Sequence, residues 1–236
     1  MKQLTDALER MGVSYQPEMI LKFQKYMESI LEWNEKVNLT SITDSQEFIL
    51  KHYVDSVVIC KCPQYQSAER IVDIGTGAGF PGIPLAILNP EKEFLLLDSL
   101  NKRIKIIQEL SADIGLTNVH FCHGRAEEFA HKKEYREQYD LCVSRAVANL
   151  AVLSEYCLPF VRVGGWFAAY KSGSAEEEIH ASRTAVALLG GDIKENYHPE
   201  LKDFDMDHRI LLISKSKKTL SKYPRKAGTP AKEPLK

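Results

Sequence analysis

A glycine-rich run from Val72 to Gly82 carries the strongest chemical signal in the sequence. Gly77, Gly79 and Gly82 have the spacing G-x-G-x-x-G, and they follow a short apolar segment that is typical of a buried strand. Glycine lets the backbone turn tightly and approach a ligand, because it has no Cβ atom. The run is therefore typical of a nucleotide-binding turn between a strand and a helix, with a plain tight turn as the alternative.

Asp73 and Pro81 separate the two classes of protein that use such a turn, dinucleotide oxidoreductases and S-adenosylmethionine methyltransferases. A dinucleotide seats its pyrophosphate on the free amides of the helix, and Pro81 removes one of these amides. A carboxylate at Asp73 suits the cationic amino group of a methionine moiety better than a diphosphate. The residues favour a methyltransferase with Asp73, Gly75 and Gly77 as donor contacts, and a nicotinamide-dependent oxidoreductase is the alternative.

Acidic residues at two further loops are candidates for contacts with a nucleoside. Asp98 follows the second predicted strand, 19 residues after Gly79, where a carboxylate can accept hydrogen bonds from a ribose. Ala126 and Glu127 follow the third strand, where an adenine would lie. The alternatives are structural, because Asp98 can cap the next helix and acidic residues are common at helix N-termini.

Arg145 ends the fourth predicted strand, at the sheet edge where ligands of such folds bind. Methyltransferases that act on exocyclic amines of adenine or cytosine often carry an Asn/Asp-Pro-Pro-aromatic run here, and this sequence does not. An arginine can contact a carboxylate, a phosphate or the O6 and N7 acceptors of guanine. Arg145 therefore indicates guanine or backbone recognition, and a structural ion pair is the alternative.

The elements that position these residues alternate between strands and helices. Such alternation predicts an α/β fold, with a mostly parallel twisted sheet covered by helices on both faces. Two amphipathic helices precede the first strand, the second capped by Ser45. The predicted helices are 16–35, 45–60, 82–88, 101–114, 150–160 and 175–189, and the predicted strands are 70–74, 94–97, 119–122, 141–143, 165–170, one near Ile193, and 210–214.

The composition indicates a globular protein. Hydrophobic residues make up 44% and charged residues 27% of the chain. No apolar run reaches the length of about 20 residues that spans a bilayer, and the first residues lack the apolar stretch of a signal peptide. Five cysteines, an odd number, are expected to be reduced packing residues. Cys60 and Cys62 lack the spacing and partners of a zinc site, so no metal is expected.

Positive charge is concentrated at the end of the chain. Residues 215–236 hold eight Lys or Arg against one acidic residue, although the net charge of the whole chain is −1. Such a segment can attract phosphate, but solvated basic tails are also common. We predict an N-terminal helical extension over 1–66, a core domain over 67–215 and a basic tail over 216–236.

The assembled residues resemble the bacterial 16S rRNA guanine-N7 methyltransferases of the glucose-inhibited division protein B family. The resemblance covers nearly the whole chain, and Val57 departs from it where a leucine is expected after Asp55 and Ser56. The matching residues are Trp33 and Asn34, Asn38 to Ser41, His52, Asp55 and Ser56, Gly75 to Pro84, Asp98 to Leu100, Lys102 and Arg103, Gly124 to Glu127, Ser144 to Ala146, and Tyr223 to Gly228 with Pro230 and Pro234.

The resemblance implies a class I methyltransferase fold, S-adenosylmethionine as the donor and methylation of guanine 527 of 16S rRNA at N7. It also implies donor contacts at Gly75, Phe80, Ala126, Glu127 and Arg145. Guanine N7 carries a lone pair and no proton, so the reaction needs alignment more than a general base. We therefore expect no catalytic acid–base pair, with Arg145 the candidate catalytic residue.

The expected partner is 16S rRNA within the 30S subunit. We predict RNA contacts at His52, Lys171, Arg225 and Lys226, with a solvated tail as the alternative for the last two. The expected location is the cytoplasm, with no membrane and no obligate protein partner. An RNA-binding module without catalytic turnover is the non-enzymatic alternative.

Overall fold

A seven-stranded sheet forms the centre of the computed structural model, which describes residues 1–145, 148–172, 176–197 and 208–236. Its strand order is β3-β2-β1-β4-β5-β7-β6, and only the pairs of β7 with β5 and β6 are antiparallel. The strands are β1 (Arg70–Ile74), β2 (Glu93–Asp98), β3 (Val119–His123), β4 (Tyr139–Arg145), β5 (Val161–Ser172), β6 (Gly191–Tyr197) and β7 (His208–Lys215).

Helices accompany the strands in sequence. The α-helical elements are α1 (Lys2–Met11), α2 (Pro17–Asn34), α3 (Ser45–Phe48), α4 (Asp55–Val57), α5 (Pro63–Gln66), α6 (Gly82–Leu88), α7 (Asn101–Asp113), α8 (Ala126–Phe129), α9 (Leu150–Cys157), α10 (Glu176–Leu188) and α11 (Thr229–Lys232). The mostly parallel sheet with flanking helices was predicted, and it is confirmed. The predicted helix start at Ala175 lies outside the described residues.

The N-terminal helices pack on the sheet through apolar faces. Phe23, Tyr26, Met27 and Ile30 of α2 are buried at helical spacing, and Pro17 occupies the first turn of that helix. The shorter helix α1, which we did not predict, buries Leu4, Ala7 and Leu8 on one face. The extension thus contributes directly to the core of the domain.

The second predicted helix differs from the expectation. Asp44, not Ser45, is its N-cap, and the Asp44 carboxylate accepts hydrogen bonds from the amides of Gln46 and Glu47 at 3.0 and 2.8 Å. The segment is not one regular α-helix, because residues 49–54 form a π-helix and residues 58–61 a 3-10 turn. Amphipathic spacing alone does not distinguish these forms, since a π-turn shifts the apolar face by only one residue.

Candidate active site

A cavity of about 480 Å³ opens at the carboxyl ends of β1, β2 and β4, where parallel α/β sheets bind their ligands. The glycine-rich loop after β1 forms its floor, and the loops after β2 and β3 form one side. Residues from the N-terminal extension and from the end of the chain complete the wall. The lining includes Leu39, Thr40, His52, Gly75, Gly77, Phe80, Asp98, Arg103, Arg125, Ala126, Glu127, Arg145, Tyr156 and Ala231.

The glycine-rich loop depends on left-handed backbone conformations. Gly75, Gly77 and Gly79 have φ values of +74°, +61° and +87°, which residues with a Cβ atom adopt only under strain. The Gly75 amide donates to the Leu97 carbonyl at 2.8 Å, which ties the loop to the end of β2. From the other side, the buried Tyr26 hydroxyl donates to the Ala78 carbonyl at 3.0 Å. Helix α2, which belongs to the N-terminal extension, thus stabilises the glycine-rich loop.

Asp73 lies beneath the glycine-rich loop. One carboxylate oxygen accepts hydrogen bonds from the Thr76 hydroxyl at 2.7 Å and from the Gly82 amide at 2.9 Å. The other oxygen is buried and has no hydrogen-bond partner among the described residues. Burial raises the pKa of the Asp73 carboxyl to about 7 despite these bonds. Asp73 shapes the loop and is outside the cavity lining, so its contact with a donor stays a prediction.

Asp98 connects the loop after β1 with the loop after β2. Its carboxylate accepts from the Gly77 amide at 2.9 Å and from the Leu100 amide at 2.8 Å. Asp98 is only 6% exposed, yet it lines the cavity. It makes no capping bond to α7, since no side chain caps the start of that helix. The carboxylate is held rigidly at the position from which a ribose can be bound.

Glu127 lies at the start of α8 and is 3% exposed. One of its carboxylate oxygens accepts from the Gly228 amide at 2.8 Å, and the Arg125 guanidinium lies 3.6 Å from the same oxygen. Ala126 beside it also lines the cavity. The alternative, an acidic helix start, is also present, because Glu127 and Glu128 lie in the first turn of α8. Glu127 has in addition a partner 101 residues away in the sequence.

Arg145 is the centre of a buried polar network at the other end of the cavity. Its guanidinium donates to the Asp55 carboxylate at 2.7 Å, to the Lys51 carbonyl at 2.9 Å and to Nδ1 of His52 at 3.0 Å. The structural ion pair that we held as the alternative is therefore present. Arg145 also lines the cavity, so the ion pair orients a cation at the site.

His52 is held in one protonation state by its surroundings. Its ring lies parallel to Phe80 with the ring centres 4.4 Å apart, and its Nε2 is 2.8 Å from the Thr40 hydroxyl. Because Arg145 donates to Nδ1, that nitrogen carries no proton and Nε2–H donates to Thr40. Burial and the neighbouring Arg145 lower the pKa of His52 to about 3.

We predict that His52 stays neutral, as the Nε2–H tautomer, over the range pH 5 to 8. A lowered pKa in the folded state means that protonation requires acid well below the ordinary histidine pKa of about 6.5. Nitrogen-15 NMR of the histidine side chains measures this directly. A His52 signal that titrates near pH 6.5 in the folded protein contradicts the prediction.

The other predicted RNA contacts have different surroundings. The Lys171 ammonium donates to Glu178 at 2.8 Å and to the Ala148 carbonyl at 3.1 Å. Arg225 binds Glu155 through its guanidinium, whereas the side chain of Lys226 is exposed. The structure brings His52 to the cavity wall and places the other three outside its lining. Their contacts with RNA stay predictions.

Several residues of the site escaped the sequence analysis. Tyr26, Tyr156 and Ala231 carry no motif, and their roles follow from long-range packing. Glu155 did offer a signal, because it is a single acidic residue within the apolar helix α9 and is fully buried. A buried carboxylate requires a partner, and Arg225 provides it.

Two features are absent from the described residues. No described helix combines the length and apolar character needed to cross a bilayer. Among the same residues, no group of three or more His, Cys, Asp or Glu side chains is arranged to hold a metal ion. All five cysteines are free, and four of them are buried, as expected for packing residues.

The sequence matches the family described as rRNA small subunit methyltransferase G, or GidB, over residues 19–202. A ribosomal RNA small subunit methyltransferase G from Clostridium tetani (strain Massachusetts / E88) is 48% identical over 233 residues, covering 99% of this chain and 98% of that protein. The protein of the same name from Bacillus subtilis (strain 168) is 44% identical over 234 residues, with 99% and 98% covered.

Two solved structures share the fold. A mutant of MtNAS in complex with S-adenosylmethionine aligns with a TM-score of 0.55 and 14% identity, covering 84% of this chain and 73% of that one. An O-methyltransferase family protein from Burkholderia thailandensis aligns with a TM-score of 0.53 and 10% identity, covering 68% and 55%. At these identities the likeness shows the fold, and the predicted class I methyltransferase fold is confirmed.

Proposed function

The chain belongs to the rRNA small subunit methyltransferase G family, and on this premise we propose that it methylates N7 of guanine 527 in 16S rRNA. It is an S-adenosylmethionine-dependent enzyme that acts on small-subunit rRNA. What we propose beyond family membership is the methylated nucleotide, guanine 527, and the methylated atom, N7. The observation that carries most weight for donor binding in the cavity is the buried Asp98 carboxylate, which accepts a hydrogen bond from the Gly77 amide at the cavity wall.

The cavity residues suit S-adenosylmethionine. The Asp98 carboxylate accepts hydrogen bonds from ribose hydroxyls, as acidic residues at this strand end do in related folds. Backbone groups of the loop at Gly75 and Gly77 face the cavity without side chains in the way. Ala126 and Tyr156 offer an apolar surface for a flat adenine ring, and Glu127 lies beside it. Phe80, His52 and Arg145 then lie at the end of the cavity where the methyl group is transferred.

The chemistry requires alignment and no proton transfer to the enzyme. Bound S-adenosylmethionine supplies an electrophilic methyl group, and guanine N7 offers an in-plane lone pair without a proton. A protein contributes to such a step by holding the reacting atoms in line, at about 3 to 3.5 Å. The network of Arg145, Asp55 and His52 serves that purpose, because three hydrogen bonds fix the orientation of the Arg145 guanidinium. Arg145 is positioned to bind guanine acceptors or phosphate.

The RNA contacts are proposed from charge and exposure. Lys226 is exposed and suits a phosphate contact, whereas Arg225 and Lys171 are engaged in ion pairs. His52 is neutral and both of its ring nitrogens are engaged, so we propose that it contacts RNA by packing of the ring and not by charge. Because the substrate is ribosomal, we propose a cytoplasmic location, with 16S rRNA in the 30S subunit as the partner. We propose no metal and no obligate protein partner.

The alternatives have less support. A nicotinamide-dependent oxidoreductase shares the G-x-G-x-x-G spacing, but the family match and Pro81 at the helix start disfavour it. A pure RNA-binding module has no need for the intact cavity with Asp98 at its wall.

Transfer of labelled methyl groups tests the substrate class. Purified protein is incubated with labelled S-adenosylmethionine and 30S subunits from cells that lack this gene. We expect label in 16S rRNA and none in ribosomal protein, and no label when the subunits come from cells that carry the gene. No transfer to either 30S subunits or protein-free 16S rRNA, despite donor binding, contradicts the rRNA substrate.

A further inference from the structure

A buried ion pair fixes the segment that ends the chain. Glu155 on α9 is 0% exposed, and its carboxylate accepts from the Arg225 amide at 2.7 Å, from Nε at 2.9 Å and from Nη2 at 2.6 Å. A carboxylate in the interior is costly unless it is paired and hydrogen-bonded, as it is here. Methyl transfer makes no direct use of Glu155, so its role lies in what the pair holds.

The segment after Arg225 leads back to the cavity. Three residues further on, the Gly228 amide donates to the Glu127 carboxylate at 2.8 Å. Gly228 has a φ of +82°, which turns the chain into the short helix α11. Ala231 on that helix lines the cavity opposite the glycine-rich loop. The buried pair therefore fixes one end of a segment whose other end is part of the cavity wall.

Further hydrogen bonds fix residues 219–224, which precede this segment. The Arg136 guanidinium donates to the carbonyls of Thr219 at 2.8 Å and of Tyr223 at 3.0 Å. Nε2 of His131 is 2.8 Å from the carbonyl of Pro224. These contacts end at residue 224. Beyond it, the side-chain hydrogen bonds of the described residues that tie the segment to the core are those of Glu155 and Glu127, and the buried Pro230 and the partly buried Leu235 add apolar packing. The predicted basic tail is thus packed against the domain over this stretch.

We propose that residues 225–231 are a C-terminal clamp that closes the donor cavity, and that Glu155 is the positioning residue that keeps the clamp closed. The inference rests on the proposed function only in taking S-adenosylmethionine as the ligand of the cavity. Glu155 acts through Arg225 and touches no ligand. Arg225 has a structural role in this proposal, and the neighbouring Lys226 faces solvent.

The clamp affects donor affinity more than the methyl-transfer step. A ligand that requires the closed form binds with an apparent Kd equal to its intrinsic Kd divided by the closed fraction. If loss of the pair leaves the clamp closed about a tenth of the time, the donor Kd rises about tenfold. At saturating donor the clamp is closed again, so kcat changes little.

The test compares Glu155→Gln with Lys217→Ala. Isothermal titration with S-adenosylmethionine and with S-adenosylhomocysteine measures donor binding without RNA, and steady-state assays on 30S subunits give kcat and KM. For Glu155→Gln we expect a donor Kd about tenfold higher, a kcat within about twofold of wild type and an unchanged KM for 30S subunits. Lys217→Ala removes a positive charge from an exposed side chain that precedes the clamp, and we expect its donor Kd to be unchanged.

A second variant opens the clamp without touching the buried pair. Gly228→Pro removes the amide that Glu127 accepts from and imposes a φ near −65° in place of +82°. It should raise the donor Kd to a similar extent. Gly228→Pro alone decides the test if thermal unfolding shows that Glu155→Gln does not fold. As a conservative rescue, Arg225→Lys keeps a charge beside Glu155 and should give an intermediate Kd.

Wild-type donor affinity in both Glu155→Gln and Gly228→Pro overturns the clamp. So does a fall in kcat with an unchanged donor Kd, because it places the defect in the reaction itself. These outcomes differ from failure of the proposed function, in which the wild-type protein binds the donor but transfers no methyl group to rRNA.

Discussion

Substitution of Gly79 by alanine is expected to raise the donor Kd about 100-fold, with a corresponding loss of methyl transfer. Gly79 has a φ of +87°, and a Cβ atom there would lie 2.6 Å from Cγ1 of Ile83 and 2.6 Å from the Tyr26 hydroxyl. Both neighbours are fully buried and cannot move freely. Left-handed strain of about 1 to 2 kcal/mol and an overpacking cost of about 1 to 3 kcal/mol together displace the loop from its binding shape.

Gly115→Ala is the matched control for Gly79→Ala. Gly115 has a φ of +65°, but a Cβ atom there would have no heavy atom within 4 Å, and the residue lies at the end of α7 outside the cavity lining. It therefore carries the backbone strain without the steric clash. Titration calorimetry with S-adenosylmethionine and thermal unfolding are measured for both variants. Equal donor affinities for Gly79→Ala and Gly115→Ala would show that the loop tolerates the clash.

Removal of the Arg145 guanidinium is expected to lower kcat/KM by about 100-fold or more. The side chain donates to Asp55, to the Lys51 carbonyl and to His52, and breaking a buried pair by removing one partner costs about 3 to 5 kcal/mol. Arg145→Lys retains the charge but cannot reach three acceptors with one ammonium, so we expect it to recover only part of the loss. Steady-state assays on 30S subunits measure both variants.

The pKa of His52 provides a second, independent signal for Arg145→Ala. Arg145 contributes to the low pKa of His52, whereas Asp55 raises it. Loss of Arg145 must therefore raise the His52 pKa from about 3 toward the ordinary histidine value, which NMR detects. Arg162→Ala is the matched control, because Arg162 pairs with Asp140 at 2.6 Å outside the cavity lining. Wild-type activity in Arg145→Ala would show that the network is only structural.

The sequence predicted the parts of the site that depend on local pattern. The glycine-rich loop, Asp98 and Arg145 all follow predicted strands, and parallel strands bring their carboxyl ends to one edge. Alternation of strands and helices also predicted the sheet. Its antiparallel pairs at β7 were not predictable in detail, because periodicity does not record the direction of a strand.

The parts of the site that the sequence analysis missed are formed by contacts between residues that are distant in the sequence. Gly228 meets Glu127 across 101 residues, and Arg225 meets Glu155 across 70. A basic composition indicates charge but not whether a charge is neutralised within the fold, so Arg225 and Lys226 looked alike in the sequence. The hydrogen bonds of Asp73 to the Thr76 hydroxyl and the Gly82 amide beneath the loop were likewise not evident from the sequence, and its contact with the donor stays a prediction.

Mapping the methylated nucleotide tests the proposed reaction most directly. 16S rRNA from 30S subunits treated with the protein and S-adenosylmethionine is reduced and cleaved at 7-methylguanine, and the fragment ends are located by primer extension. We expect one new cleavage site, at guanine 527, that is missing when the donor is omitted. Methyl incorporation without cleavage at any guanine would show that the enzyme modifies another atom, and cleavage at a different guanine would contradict the proposed nucleotide.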